Sequence, residues 1–172
     1  MSSIQPLEPS FGNQLTRFAL QKDVVPMVSG GGEMMSKCFF FISSSCERLF
    51  ATGIVTSPNY PDNYPNNFRK TETIQVEQGL ILSLKFTTFN IEIPSPHDSN
   101  WCSGCNCNYL TITEGDGTII MGKMCGSTEN GDIEISGQNW GFSLPPNITS
   151  RSNVVKLIFT TTIWSSNTTK RG

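Results

Sequence analysis

Apolar and polar residues alternate with a period of two through much of this chain. The run "LILSLKF" puts Leu80, Leu82, Leu84 and Phe86 on one side, and "NVVKLIFTT" does the same with Val155, Leu157 and Phe159. Between them, "FNIEI" sets Phe89, Ile91 and Ile93 inward, "YLTIT" sets Leu110 and Ile112 inward, and "TETIQV" and "TIIMGKM" complete the series. Gly, Pro, Asn and Asp separate these short runs, so the pattern predicts an antiparallel β-sandwich. The N-terminal third reads differently. "NQLTRFALQKDVV" suits a short amphipathic helix with Leu15, Phe18 and Ala19 on one side, and "SGGGE" follows as a flexible break. Residues 1–37 are therefore expected to be a disordered or weakly helical tail, and residues 38–172 the folded domain.

Composition narrows the setting. A chain of 172 residues suits one domain with a real core. Its net charge of −2, with 15% charged residues, gives no basic field for nucleic acid or an anionic membrane surface. No apolar run approaches the roughly 20 residues of a membrane span. Six cysteines (Cys38, Cys46, Cys102, Cys105, Cys107, Cys125) and two glycosylation sequons, at Asn147 and Asn167, point to an oxidising, secretory environment. Residues 1–20 lack the basic, apolar and small-residue regions of a signal peptide, so the chain reads as an internal fragment or one whose start has been assigned wrongly.

The segment "GIVTSPNYPDNYPNN", Gly53 to Asn67, is too regular for a linker. Each proline fixes φ and withholds an amide, while the Asn and Asp side chains serve neighbouring backbone groups, so the segment crosses an end of the sandwich as a rigid strap. Together with Cys46 before it, and "LSLKFTTFNIE", "LTITEGDG", Cys125-Gly126 and "LPPNITSRSNVVKLIFTT" after it, in that order, the segment resembles the CUB domain family. The resemblance covers residues 46–172. It implies an all-β, jelly-roll-like extracellular sandwich of CUB type, behind a poorly ordered N-terminal tail.

The resemblance also implies a bridge from Cys105 to Cys125. Where the family carries the partner of its first cysteine, in Cys-x-Trp, this chain has Lys70 and Glu72. Cys46 then stays reduced or pairs elsewhere, Cys38 being nearest. Cys102 and Cys107 fall in an enlarged loop that a local disulfide could staple; thiolate ligation of zinc by Cys102, Cys105 and Cys107 is the alternative. Many family members bind calcium through a Glu and two aspartates. Here Glu92 matches the first, while Asn108 and Thr162 replace the others, which leaves a vestigial site with one carboxylate for an ion that wants six to eight oxygens. No metal or other cofactor is expected. Family members close with a further Gly-aromatic strand that this chain does not reach by Gly172, so a missing final strand and an open sheet edge are expected.

Catalysis finds little support. The one histidine, His97, lies in a Pro-flanked insertion beside Asp98, with no nucleophile elbow and no His-Glu-x-x-His pattern. "EGDG", Glu114 to Gly117, lacks the lysine and helix of a phosphate cradle and reads as a hairpin turn with positive φ at Asp116-Gly117. A non-catalytic module for recognising proteins, or glycans, remains. Its contact candidates are Trp101, Asn139 and Trp140 in loops the core does not need, while Tyr60 and Tyr64 are expected to pack the strap. The competing readings are a targeting module within a secreted protease chain, or a structural spacer or decayed copy that binds nothing; flanking domains in a longer chain fit all three.

Overall fold

The computed structural model describes residues 16–27, 52–93 and 102–162. Ten strands run through them: β1 Arg17–Pro26, β2 Thr52–Thr56, β3 Arg69–Gln75, β4 Leu80–Ile91, β5 Tyr109–Glu114, β6 Ile119–Ser127, β7 Ile133–Ile135, β8 Gln138–Gly141, β9 Ile148–Thr149 and β10 Val154–Thr160. The sheet order is β2-β1-β4-β6-β5-β10-β3, with β9 on β4 and the hairpin β7–β8 continuing from β6. Every pairing is antiparallel.

The sheet curls at β4–β6, where the only paired positions are Asn90 with Ser127 and Ile91 with Gly126. Beyond that joint it folds back over itself. Phe18 on β1 and Phe159 on β10 are far apart in strand order, yet their rings meet edge to face at 5.1 Å. Two facing layers result, as in a β-sandwich. Leu20, Leu82, Leu84 and Phe86 fill the space from one layer, and Leu110, Ile112, Val155, Leu157 and Phe159 from the other; all are buried.

Two runs of opposite phase, Leu82–Leu84–Phe86 and Phe89–Ile91, belong to one strand. Ala19 stands opposite Thr88 and Leu20 opposite Phe86, so Thr87 is an extra residue on β4. This β-bulge resets the alternation and lets both Phe86 and Phe89 face inward, their rings edge to face at 5.3 Å. The Thr87 hydroxyl donates to the Ala19 carbonyl across the bulge, at 3.2 Å.

Residues 17–26, expected to lie in a disordered or weakly helical tail, instead form β1 within the sheet. Phe18, Leu20 and Val24 are buried at period two, and Ala19 is covered as well. The signal was weakened by Lys22, which interrupts the inward series and lies opposite Gly53 on β2. Without a Cβ at Gly53, the Lys22 stem can occupy the space above it. The folded unit thus begins before residue 38. With β1 in place the described sheet is continuous between β2 and β4.

The strap holds β1 at one end of the sandwich. Thr16 N donates to the Asn63 side chain at 2.8 Å, Tyr64 N donates to the Thr16 carbonyl, and the Arg17 guanidinium donates to the Pro61 carbonyl at 2.8 Å. Asn59 and Asn67 take left-handed φ of 62° and 49°, a conformation asparagine tolerates better than most residues. Tyr64 is buried against Phe159, whereas Tyr60 stays exposed beneath the Arg17 guanidinium.

Candidate functional site

Glu92, Asn108 and Thr162 come together at the end of the sandwich that the strap crosses. Asn108 is buried, and both ends of its amide are used. Its Nδ2 donates to the Glu92 carbonyl at 3.2 Å, and its Oδ1 accepts from Thr162 N at 2.9 Å. Tyr64 joins from the strap: its hydroxyl accepts from Glu92 N at 3.0 Å. Burial pushes that phenol well above its ordinary range. A neutral amide, tied to two backbone groups, thus occupies the position of Asn108 in this cluster.

Four cysteines are paired, Cys102 with Cys107 and Cys105 with Cys125. Their sulfurs are therefore not available as thiolates for zinc, and the grouping of Cys105, Cys125 and Glu134 consists of one disulfide beside one carboxylate. The pairs pin a short 3-10 turn, Gly104–Asn106, against β7, where the Glu134 carbonyl lies 3.6 Å from the Cys105 sulfur. Cys38, Cys46, His97, Trp101 and Asn167 lie outside the described residues.

The hairpin partner of β7 carries the remaining contact candidates. Asn139 is exposed, and its side chain accepts from Gly141 N at 2.7 Å, so it shapes the hairpin locally. Trp140 is 42% exposed, and two neighbours overlooked from sequence join it: Phe142 at 72% and Leu144 at 38%. The signal was present, since apolar residues alternate in "WGFSL", but only Asn139 and Trp140 stood out in that segment. Asn147 is exposed just beyond, ahead of β9. "EGDG" forms the expected tight turn: Gly117 has φ 94°, and Asp116 accepts from Thr118 N at 2.8 Å, a bond that holds its carboxyl below the usual range. Glu114, with no part in the sequence reading beyond that turn, is buried and accepts from Arg151 N at 2.7 Å and from Ser152 N at 3.2 Å, anchoring the loop before β10.

A second surface feature lies between the outer edges of β2 and β3. A groove of about 580 Å³ is lined by Ile54, Pro58, Tyr60, Phe68, Lys70 and Glu72. Lys70 and Glu72 pair with each other at 2.9 Å on the β3 edge.

Residues 46–140 match the profile of the CUB domain. The chain belongs to the CUB domain family. Cubilin of Rattus norvegicus is 30% identical over 109 residues, covering 63% of this CUB chain and 2% of cubilin. A calcium-dependent serine proteinase of Mesocricetus auratus is 34% identical over 86 residues, covering 50% of this chain and 11% of the proteinase. Among solved structures, a CUB1-EGF-CUB2 fragment of human MASP-1/3 aligns with TM-score 0.46 and 21% identity, over 64% of this chain and 34% of that one. The chain thus spans a small fraction of its relatives' length. CUB domains are non-catalytic modules, and no helix among the described residues is long and apolar enough to cross a membrane.

Proposed function

We propose that this CUB chain is an extracellular protein-recognition module, without catalytic activity of its own, that makes contact through the β7–β8 hairpin and the loop after it. One observation carries the reading: Trp140, Phe142 and Leu144 are large apolar side chains exposed at alternate positions, the first on a hairpin backed by a disulfide-pinned turn and the other two in the loop that follows it. Exposed aromatics on a rigid support suit a protein interface, because their contact area needs little ordering on binding. The two disulfides and the exposed sequon asparagine Asn147 support an extracellular setting. Trp101, adjacent in sequence to Cys102, is kept as a contact candidate on its sequence position alone. In this reading the Asn108 amide does the bracing work of an ion, and the module needs no calcium.

The test is capture from extracellular fluid on immobilised protein, wild type against Trp140→Ala/Phe142→Ser. A protein retained by wild type and lost by the variant, with melting temperature unchanged, is the expected result. Equal retention by both, or none by either, overturns the assignment. The match to a serine proteinase favours a second reading, in which the module targets a protease carried elsewhere in a longer chain. Translating the flanking codons tests it, and a catalytic domain in frame is its expected sign.

A further inference from the structure

The place occupied by β1 is a strand-accepting slot, and we propose that it takes β1 from a second copy of this chain, giving a strand-exchanged dimer. β1 sits between two strands with which it has no local connection. Arg17–Pro26 pairs with Leu80–Ile91 on one side, and Ala19–Asp23 pairs with Thr52–Thr56 on the other. The slot is demanding: Phe18 and Leu20 are almost wholly buried in it, Phe18 closes on Phe159, and β2 reaches the rest of the sheet only through β1. A copy whose own β1 has withdrawn exposes Leu82, Leu84 and Phe86, together with two unpaired strand edges. It must then recruit a strand of the same alternation. The nearest exact match is the β1 of another copy.

The chain length permits this. Asp23 lies opposite Thr52, so a hairpin between β1 and β2 needs only a few linking residues. Residues 27–51 join them instead. At about 3.3 Å per residue that connection can span roughly 80 Å, well beyond the width of a domain of this size. Each copy can therefore keep β2 in its own sheet while placing β1 in the other. Reciprocal exchange closes the pair with two-fold symmetry and leaves no slot vacant. Every hydrogen bond and core contact of β1 is the same in either arrangement, so concentration sets the balance. A connection of this length sets an effective concentration on the order of 1 mM for its own strand, and half-exchange is expected near that value.

Gln21 and Lys85 are exposed cross-strand partners, so cysteines there report whose β1 lies on whose β4 without touching the core. A Gln21→Cys chain, labelled with heavy nitrogen, and an unlabelled Lys85→Cys chain are unfolded together, refolded at increasing protein concentration and digested for mass spectrometry. The expected product is a disulfide-linked peptide joining position 21 of the labelled chain to position 85 of the unlabelled one, absent at micromolar concentration and abundant near 1 mM. A double variant, Gln21→Cys/Lys85→Cys, checks that the pair can bond within one chain. Asp23→Cys with Ser83→Cys, a half-buried register pair two residues along the same face, replaces it if either chain misfolds. If the double variant bonds internally and no mixed peptide forms at any concentration, the proposal fails. A dimer that lacks the mixed link overturns it too, because the copies would then be meeting along the β2 or β3 edge.

Discussion

Asn108 ties together two segments, the end of β4 and the end of β10. Truncation to alanine leaves the half-buried Glu92 carbonyl and Thr162 amide without this partner, so Asn108→Ala is expected to cost about 1–3 kcal/mol in denaturant unfolding. Millimolar calcium is expected to leave the melting temperature of the wild type unchanged; a rise of several degrees would show that oxygens other than this amide are recruited. Tyr64 supplies a pH dependence. Burial raises its phenol, so the folded chain keeps the proton after the unfolded chain, titrating near pH 10, has lost it. Its contribution is whole below pH 10 and is lost as pH rises beyond. Unfolding curves from pH 9 to 11 should show a steeper alkaline loss in wild type than in Tyr64→Phe, and parallel losses would remove Tyr64 as the cause. Of this cluster, the sequence made the identities of Glu92, Asn108 and Thr162 legible through the family resemblance. The bonds through Asn108 were not legible, since an amide in place of a carboxylate reads first as a loss.

At the scale of elements, β1 is the sharpest test. Leu20 is fully buried and Gln21 beside it is exposed. Leu20→Ala should cost about 2–5 kcal/mol and Gln21→Ala close to nothing, by urea denaturation; two neutral substitutions would mean that β1 is dispensable. The strands from β3 to β6 and β10 were legible because alternation is a local signal and each run is flanked by turn residues. β1 was not, because its inward series contains Lys22, whose fit depends on Gly53 across the sheet. The bulge at Thr87 was hidden for a related reason: a phase change looks like two strands until a partner strand shows which residue is extra.

Across the whole molecule, the two disulfides are unequal. Cys105–Cys125 closes a separation of 20 residues and Cys102–Cys107 one of 5, so loop entropy assigns them about 3 and about 2 kcal/mol respectively. Paired serine substitutions should lower the melting temperature more for Cys105/Cys125 than for Cys102/Cys107, and the reverse order would mean that the short bridge does more than close its own loop. The position of β1 has a further consequence, during synthesis. It leaves the ribosome ahead of both strands that flank it, and its longer partner β4 emerges only after β2 and β3. Phe18, Leu20 and Val24 must therefore wait without a sheet to join while much of the domain is translated, which makes the nascent chain a client for chaperones until β4 closes over its oldest strand.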